Sequence, residues 1–347
     1  MHRRRTIIGF LLSAALAGAC QPPTGKLPVE RETIVAELFW PQPPLRPRIR
    51  FERAVARPQD LGIQTSFWQR VGEIIVGKQE EWLIRPTGVA ANGKTIFVAD
   101  PGAQAFWILD PKAGQFNKIQ DAGPERLISP VSVTLGSDNR LYVADSYLGK
   151  VLVFDTQGKV LSSIADPNLR RPAGVVYDST RDRLYVADSA AHRVWVFAGN
   201  GKPMGSIGRR GTGNGEFNFP THVAVDREGS LYVTDSLGFR LQFFSSNGTF
   251  AGQFGRHGDS SGDFASPKGV ALDSEGHVYV VDALFDAVQI FDRRGRYLLT
   301  FGERGISLGQ FWLPGGIFID EHDRIYVADA YNQRIQIFQF LAGGGDG

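Results

Sequence analysis

The sequence is short of the residues on which disulfide-stabilised and zinc-binding proteins depend. It has 347 residues but only one cysteine and six histidines. A single cysteine excludes an intrachain disulfide framework and any zinc site built from several thiolates. The charge is also nearly balanced, with 38 basic and 36 acidic residues and a formal charge of +2. The chain therefore has no overall basic field of the kind that attracts nucleic acid.

The first nineteen residues have the pattern of a secretory signal. Arg3, Arg4 and Arg5 form a basic start, and an apolar stretch of 11 residues runs from Ile7 to Ala17. This stretch is too short to cross a bilayer as a helix, and small residues follow it. We predict a signal peptide over residues 1–19. Its removal takes away three arginines and no acid, which leaves a formal charge of −1.

Cys20 stands where a signal peptidase would cut. The sequence "LAGAC" resembles the lipobox of bacterial lipoproteins, and this resemblance implies that Cys20 is lipidated and becomes the mature N-terminus. The alternative is an ordinary secreted protein with an unpaired thiol, which would be a liability in an oxidising compartment. We therefore expect a lipid-anchored protein of the bacterial cell envelope. Gln21 favours export to the outer membrane, facing the periplasm.

A proline-rich segment follows the predicted anchor. Seven prolines fall between residues 22 and 47, and this density favours an extended, semi-rigid chain without a core of its own. We interpret residues 20–45 as a tether.

The phrase "VAD", or a near copy of it, occurs six times in the rest of the chain. Its aspartates are 45, 43, 47, 47 and 47 residues apart, at Asp100, Asp145, Asp188, Asp235, Asp282 and Asp329. Self-similarity at this period marks a repeat protein in which neighbouring units bury a shared core. The sequence therefore predicts six copies of one structural unit.

The fifth repeat shows what each unit contains. Four short segments with strand-like alternation follow one another, separated by tight turns: Gly269–Asp273, His277–Asp282, Ala287–Asp292 and Arg296–Gly302. Four antiparallel strands joined in this way form a propeller blade. With "DSAAHRVWVF" and "DAYNQRIQIF", the pattern resembles the NHL-repeat family. The resemblance implies an all-β, six-bladed β-propeller over residues 46–341, followed by a flexible tail at 342–347.

The last repeat has no fourth strand of its own, whereas a strand-like segment, Arg46–Val55, precedes the first blade. We predict that this segment pairs with the last blade, because closing the ring removes two exposed sheet edges. Between it and the first blade, helical spacing is shown by the apolar residues Phe67, Val71, Ile74 and Ile75. We expect a short helix near 66–78, packed on one propeller face.

The six "VAD" aspartates are interpreted as structural. Each follows a strand and precedes a tight turn, where a carboxylate accepts hydrogen bonds from turn amides. The glycine-rich phrases "GRRGTGNGEF", "GRHGDSSGDF" and "GERGISLGQF" lead into strands and not into helices. They are therefore better read as links between blades than as phosphate-binding loops.

One face of the predicted propeller is the candidate binding surface. The first strands of the blades place Gly88, Ser132, Gly174, His222, Gly269 and Gly316 at one equivalent position near the axis. His222 breaks this series of small residues, and Lys268 is the one charge a position earlier, so both are expected near the mouth of a central channel. The turns on this face carry aromatic and apolar residues, which at loop tips commonly mark binding sites. The predicted binding residues are His222, Lys268, Tyr147, Phe239, Phe285, Tyr331 and His192. The alternative is that the apolar ones pack onto neighbouring blades.

The predicted function follows from what this face contains. Its blade-linking loops carry seven acids and seven arginines, so RNA binding, known in some NHL relatives, is not expected. Related propellers include metal-dependent enzymes, and His192, His222 and His257 fall on the face at non-equivalent positions. We expect no catalytic residues, cofactor or metal, and a monomer that binds a protein, peptide or glycan partner in the envelope. The alternative is a metal-dependent lyase or hydrolase of the amidating-lyase or lactonase type.

Overall fold

Short strands of alternating pattern assemble into six antiparallel sheets in the computed structural model, which describes residues 37–63 and 82–342. The predicted signal peptide, Cys20, most of the tether, the predicted helix near 66–78 and residues 343–347 lie outside the described residues. The sheets are the blades of a six-bladed β-propeller, so the predicted fold is confirmed. Within the described residues, the helices are three short 3₁₀ turns at Pro58–Leu61, Ser137–Asn139 and Ser236–Gly238.

The strands follow the six repeats in order. Two precede the first blade: β1 (Phe39–Trp40) and β2 (Ile49–Val55). Blade 1 has β3 (Gly88–Asn92), β4 (Thr95–Asp100), β5 (Ala105–Asp110) and β6 (Gln115–Ile119), followed by a small ribbon of β7 (Asp121–Ala122) and β8 (Glu125–Arg126). Blade 2 has β9 (Pro130–Leu135), β10 (Arg140–Asp145), β11 (Lys150–Asp155) and β12 (Val160–Ile164). Blade 3 has β13 (Pro172–Asp178), β14 (Arg183–Asp188), β15 (Arg193–Ala198) and β16 (Pro203–Ile207).

The remaining blades repeat this plan. Blade 4 has β17 (Pro220–Val225), β18 (Leu231–Asp235), β19 (Arg240–Phe244) and β20 (Phe250–Phe254). Blade 5 has β21 (Pro267–Leu272), β22 (Val278–Asp282), β23 (Ala287–Phe291) and β24 (Tyr297–Phe301). Blade 6 has β25 (Ile317–Ile319), β26 (Arg324–Asp329) and β27 (Arg334–Phe340), and its sheet continues into β2 and β1.

The first strand of each blade lies at the axis, where the backbones approach closely. A Cβ added to Gly88 would lie 2.7 Å from the Cα of Ser132, and one added to Gly174 would lie 2.8 Å from the Cα of His222. A Cβ added to Gly316 of blade 6 would lie 3.2 Å from the Cα of Gly88 of blade 1. These contacts account for the small residues at the equivalent positions, and they show that the ring is closed.

The N-terminal strand closes the ring as predicted. β2 pairs antiparallel with β27, with Ile49 opposite Phe340 and Val55 opposite Ile335. Ile49 and Phe51 are buried in the core between blades 5 and 6, whereas Val55 is buried in the core between blades 6 and 1. β2 therefore contributes to the hydrophobic cores on both sides of the blade that it completes.

The propeller includes residues that precede the predicted boundary at residue 46. Phe39 and Trp40 form a fifth strand on blade 6. The ring of Trp40 lies 6.0 Å from that of Phe301 and 5.8 Å from that of Phe338, and Leu38 packs against the same core. The proline-rich composition concealed this strand, because Pro41, Pro43 and Pro44 follow it directly.

The closure generates a stability prediction. A chain that starts at residue 60 lacks β1 and β2 and exposes the apolar faces of β27 and its neighbours. Removing the buried side chains of Ile49, Phe51 and Val55 costs several kcal/mol each, so we expect the melting temperature to fall by roughly 10 °C or more. Differential scanning calorimetry measures this change. A chain that starts at Glu37 keeps both strands and is the matched control. An unchanged transition in the shorter chain would disprove the structural role of β2.

Candidate functional site

The candidate site lies on the face that carries the turns between the second and third strands of each blade, which we call the upper face. The six repeated aspartates lie directly under these turns, and all are fully buried. Asp145 is typical. Its carboxylate accepts hydrogen bonds from the amides of Ile128 at 2.8 Å and of Tyr147 and Leu148 at 3.0 Å. In blades 1, 2, 3 and 5 the aspartate therefore joins amides of its turn to the segment that enters the same blade, which holds these turns in place.

Two of these aspartates also form buried ion pairs. Asp235 pairs with Arg240 at 2.9 Å, and Asp329 pairs with Arg334 at 2.8 Å. Burial raises the pKa of both carboxyl groups, while hydrogen bonds from the amides and arginines oppose the shift. Arg334 also donates to the carbonyl oxygens of Ile306, Ser307 and Gln310 at 2.7–3.0 Å. Each arginine thus fixes the blade-linking loop above it.

His222 lies at the upper end of a cavity of about 150 Å³ along the propeller axis. The cavity is lined by the first strands of the blades, mainly by valine, alanine and glycine. Both ring nitrogens of His222 are buried and have no hydrogen-bond partner among the described residues. Burial, with a smaller contribution from the positive charge of Lys268, lowers the pKa of His222 to about 3. The imidazole is therefore neutral at physiological pH.

Lys268 lies on β21, one residue before the glycine that is equivalent to His222. It is half-buried, and burial lowers the pKa of its ammonium group, an effect that the nearby Asp282 opposes. In blade 5 the position of the paired arginine is taken by Ala287. Over residues 37–63 and 82–342, no hydrogen bond or salt bridge is found for Lys268.

Four turns of the upper face present an apolar side chain at the same position, two residues after the repeated aspartate. Their exposed fractions are 73% for Tyr147, 51% for Leu237, 62% for Leu284 and 51% for Tyr331. We call these residues the apolar ring. Gly102 and Ala190 occupy this position in blades 1 and 3. Tyr147 and Tyr331 were predicted binding residues, and the structure exposes both.

A second apolar surface lies on the loop that leads into blade 6. Ile306 is 74% exposed, and Leu308 and Trp312 are each 41% exposed. The ring of Trp312 lies 5.8 Å from that of Tyr331, so this blade 6 patch continues the apolar ring. The patch was not predicted from the sequence, because the linking loops were compared by charge alone. The signal was present, since the two related loops carry Thr212 and Asn214 or Asp259 and Ser261 in place of Ile306 and Leu308.

The other predicted residues support the face from within. His192 is buried, and its Nδ1 accepts a hydrogen bond from the amide of Phe219 at 3.3 Å. The half-buried ring of Phe239 lies 4.4 Å from that of His257. Phe285 is also half-buried. His192 and Phe239 therefore pack against neighbouring loops, whereas Phe285 is partly exposed.

Within residues 37–63 and 82–342, no group of three or more histidine, cysteine, aspartate or glutamate side chains is arranged to hold a metal ion. None of the helices in that part of the chain has the length and hydropathy needed to span a membrane.

Comparisons of the sequence with protein families agree with the fold. Residues 311–338 match the NHL repeat, and residues 176–238 match a family described as "6-bladed beta-propeller". The NHL match covers Trp312, Tyr331 and the buried pair of Asp329 and Arg334. No curated protein matches the sequence.

Solved structures with the same fold include both uncharacterised proteins and enzymes. A structural-genomics protein of unknown function from Bacteroides thetaiotaomicron has a TM-score of 0.59 at 16% identity, over 74% of this chain and 70% of that one. Virginiamycin B lyase from Staphylococcus aureus has a TM-score of 0.56 at 13% identity, over 74% of this chain and 96% of that one. A streptogramin B lyase has a TM-score of 0.58 at 10% identity, over 75% and 94%. At these identities the likeness shows the fold alone.

The buried ion pair of blade 6 gives one stability prediction. Arg334→Ala leaves Asp329 buried without its cation and releases three loop carbonyls, which costs about 3–5 kcal/mol of the free energy of unfolding. Urea denaturation at pH 7 measures the loss. Arg209→Ala is the matched control, because it breaks the exposed ion pair with Glu216 and should hardly change the midpoint. Equal midpoints for the two variants would contradict the prediction.

The depressed pKa of His222 gives a pH prediction. Histidine in the unfolded chain has a pKa of about 6.5. Below pH 6.5, His222 is therefore protonated in the unfolded chain but stays neutral in the folded protein. Stability contributed by His222 is therefore present above pH 6.5 and is lost as the pH falls toward 3. Between pH 7 and pH 5 we expect the wild type to lose about 2 kcal/mol more than His222→Ser. Serine is the residue of blade 2 at this position.

Urea denaturation of both proteins at the two pH values provides the measurement. All other titrating groups are shared, so their contributions cancel in the difference. If the wild type and His222→Ser lose the same free energy of unfolding between pH 7 and pH 5, His222 is not desolvated.

Proposed function

We propose that this protein is a non-catalytic binding propeller, tethered to the bacterial envelope through Cys20, that holds an apolar segment of a partner protein on its upper face. The observation that carries the proposal is the set of exposed apolar side chains that the apolar ring and the blade 6 patch place on one face of the propeller. Apolar surface that is exposed to water is unfavourable, and covering it with a partner contributes favourable free energy to binding.

The turns that carry these side chains are rigidly held, which favours binding. In blades 1, 2, 3 and 5 the buried aspartate accepts hydrogen bonds from amides of the turn, and in blades 4 and 6 it pairs with a buried arginine that fixes the linking loop. A surface that is already ordered loses little conformational entropy when a partner binds. The upper face therefore has the preorganisation expected of a docking surface.

The kind of partner follows from the side chains that are exposed. Ile306, Leu284 and Leu237 are aliphatic, and they offer no hydrogen bonds of the kind that hold a glycan. Trp312 and Tyr331 are aromatic residues of the type that dominates the energetics of protein interfaces. Exposed arginines such as Arg209, Arg256 and Arg304 supply the polar rim that such interfaces have. A protein partner with an apolar segment suits this combination better than a glycan.

Site-specific photocrosslinking in cells tests the proposal. A photoreactive residue placed at Tyr147 or at Tyr331 should capture the same partner protein, because both positions belong to one surface. The matched control is Leu161, which is 49% exposed but lies on the outermost strand of blade 2. Equal capture at Leu161 would contradict docking on the upper face.

The affinity of the purified complex then tests the blade 6 patch. We expect Trp312→Ala to weaken binding of the captured partner by about thirtyfold, which corresponds to the roughly 2 kcal/mol of an interface hot spot. Leu161→Ala should leave the affinity unchanged in isothermal titration calorimetry.

Metal analysis addresses the competing function, a metal-dependent lyase or hydrolase. Stoichiometric zinc or calcium that is lost on His222→Ala would defeat the non-catalytic proposal.

A further inference from the structure

Three exposed arginines lie in the loops that lead into blades 4, 5 and 6, close to where each loop leaves the outermost strand of the preceding blade. Their side chains are 78–80% exposed, and they are Arg209, Arg256 and Arg304. Each guanidinium group lies beside a carboxylate that is much less exposed: 25% for Glu216, 10% for Asp263 and 6% for Asp286. The positive end of each pair therefore faces the solvent, although the blade-linking loops carry equal numbers of acids and arginines.

The three guanidinium groups leave most of their donors unused. Arg209 donates through Nε to Glu216 at 2.9 Å, and Arg256 donates through Nε to Asp263 at 2.8 Å. The Nε of Arg304 lies 4.0 Å from a carboxylate oxygen of its acid, beyond hydrogen-bond distance. Over residues 37–63 and 82–342, no partner is found for the two terminal nitrogens of any of these arginines. Each side chain therefore presents a fork of two nitrogens that the described chain does not use.

Two buried arginines of the same face show how an arginine that stabilises these loops is bound. All three guanidinium nitrogens of Arg334 donate hydrogen bonds, to Asp329 and to loop carbonyl oxygens. Those of Arg240 are also all engaged. The side chains of the exposed arginines make no hydrogen bond to a loop carbonyl within the described residues. Their forks are therefore available to a partner.

A carboxylate is the group that such a fork selects. A guanidinium group is planar and donates two parallel hydrogen bonds to the two oxygens of one carboxylate. In Arg209 and Arg256 the acid already bound at Nε restricts the guanidinium group. Less side-chain entropy is therefore lost when a second carboxylate binds to the fork.

The position of one fork indicates where the carboxylates of a partner lie. Arg304 is two residues from Ile306 and four from Leu308, which both belong to the blade 6 patch. An apolar segment that covers this patch therefore brings its flanking residues to a fork. A phosphate polymer such as a nucleic acid suits this surface less well, because it has no apolar side chains to cover the patch.

The exposed charge of the three loops is positive. Their exposed arginines are the three already named and Arg210, whereas their exposed acids are Asp259 and Glu303. Glu303 also accepts a hydrogen bond from Gln310 at 3.0 Å. Complementary charge at the rim of an interface determines which partners are accepted, so these loops favour an acidic partner.

We propose that the segment held on the upper face carries acidic residues beside its apolar ones, and that the forks of Arg209, Arg256 and Arg304 bind those carboxylates. This inference rests on the proposed function, because it concerns the chemistry of the same partner. The apolar side chains supply the buried area, and the forks distinguish an acidic apolar segment from a neutral or basic one.

Fluorescence anisotropy with the full-length protein and three labelled peptides tests the inference. Each peptide has uncharged ends and the core Leu-Phe-Ile-Leu, flanked on both sides by two glutamates, two glutamines or two lysines. We expect the glutamate peptide to bind at least about tenfold more tightly than the glutamine peptide and the lysine peptide to bind most weakly. Raising the salt concentration should remove the difference between the glutamate and glutamine peptides, because exposed charges are screened.

Replacement of the arginines assigns the preference to the forks. The combined variant Arg209→Gln, Arg256→Gln and Arg304→Gln should bind the glutamate peptide no more tightly than the glutamine peptide. Arg296→Gln is the matched control, because Arg296 forms a similar pair with Asp292, with exposed fractions of 76% and 18%, in a turn of the opposite face. This control should keep the full preference. Should the combined variant fail to fold, the salt dependence of the wild type provides the test without any substitution.

The outcomes distinguish this inference from the docking proposal. A preference for glutamate that the three substitutions remove and Arg296→Gln keeps supports both. Equal binding of all three peptides overturns the acidic partner but leaves the docking of an apolar segment in place, whereas no binding of any peptide overturns both. A preference that persists in the combined variant shows that the forks do not cause it. Tighter binding of oligothymidylate than of the glutamate peptide would assign the forks to phosphate groups and would also overturn the inference.

Discussion

The close approach of six strands at one axis is the constraint on which the rest of this structure depends. Where the first strands of neighbouring blades meet, an added Cβ would lie within about 3 Å of the next backbone, as at Gly88 and Gly174. Side chains are therefore almost eliminated from this level. The large apolar side chains of each blade therefore lie further from the axis, where they form six hydrophobic cores between neighbouring sheets.

His222 is the exception to that constraint, and its surroundings explain how it is accommodated. The equivalent residue of the next blade is Gly269, which leaves space beside the imidazole. Desolvation keeps the ring neutral, so that no buried charge has to be compensated. A histidine at the axis is thus tolerated without an ion pair, yet its nitrogens remain without partners among the described residues. His222 therefore differs from the equivalent residues of the other blades in two ways. Its large side chain fits at the axis, and its ring nitrogens have no hydrogen-bond partner among the described residues.

Most of the fold could be predicted from the sequence because repetition makes weak signals strong. A single "VAD" means little, but six copies in register fix the number of blades and the position of each turn. The missing fourth strand of the last repeat similarly predicted the role of Arg46–Val55, because an unpaired sheet edge must be covered. Composition alone did not predict a strand that lies outside the repeats. Phe39 and Trp40 lie among prolines, and no repeat indicated that they add to blade 6.

The candidate site was predicted less completely, for a different physical reason. Period and spacing place a residue on a face, but they do not determine whether its side chain points to solvent or into the neighbouring blade. His192 and Phe239 have left-handed backbone conformations, and both side chains pack inward. Tyr147 and Tyr331 lie only two residues after their aspartates and point outward. The structure was needed to separate these cases, and to show that Ile306 and Trp312 extend the exposed surface.

The order of strands in blade 6 has a mechanical consequence. The chain reaches the propeller at Glu37 and forms β1, turns back into β2, and only then enters the ring beside β27. A force that pulls on the N-terminal end of the described chain therefore acts first on the two-residue strand β1 and next on the β2–β27 seam. Tension would therefore separate β2 from β27 and open the ring before it unfolded any complete blade. The strand pairing that closes the propeller would also be the first to break.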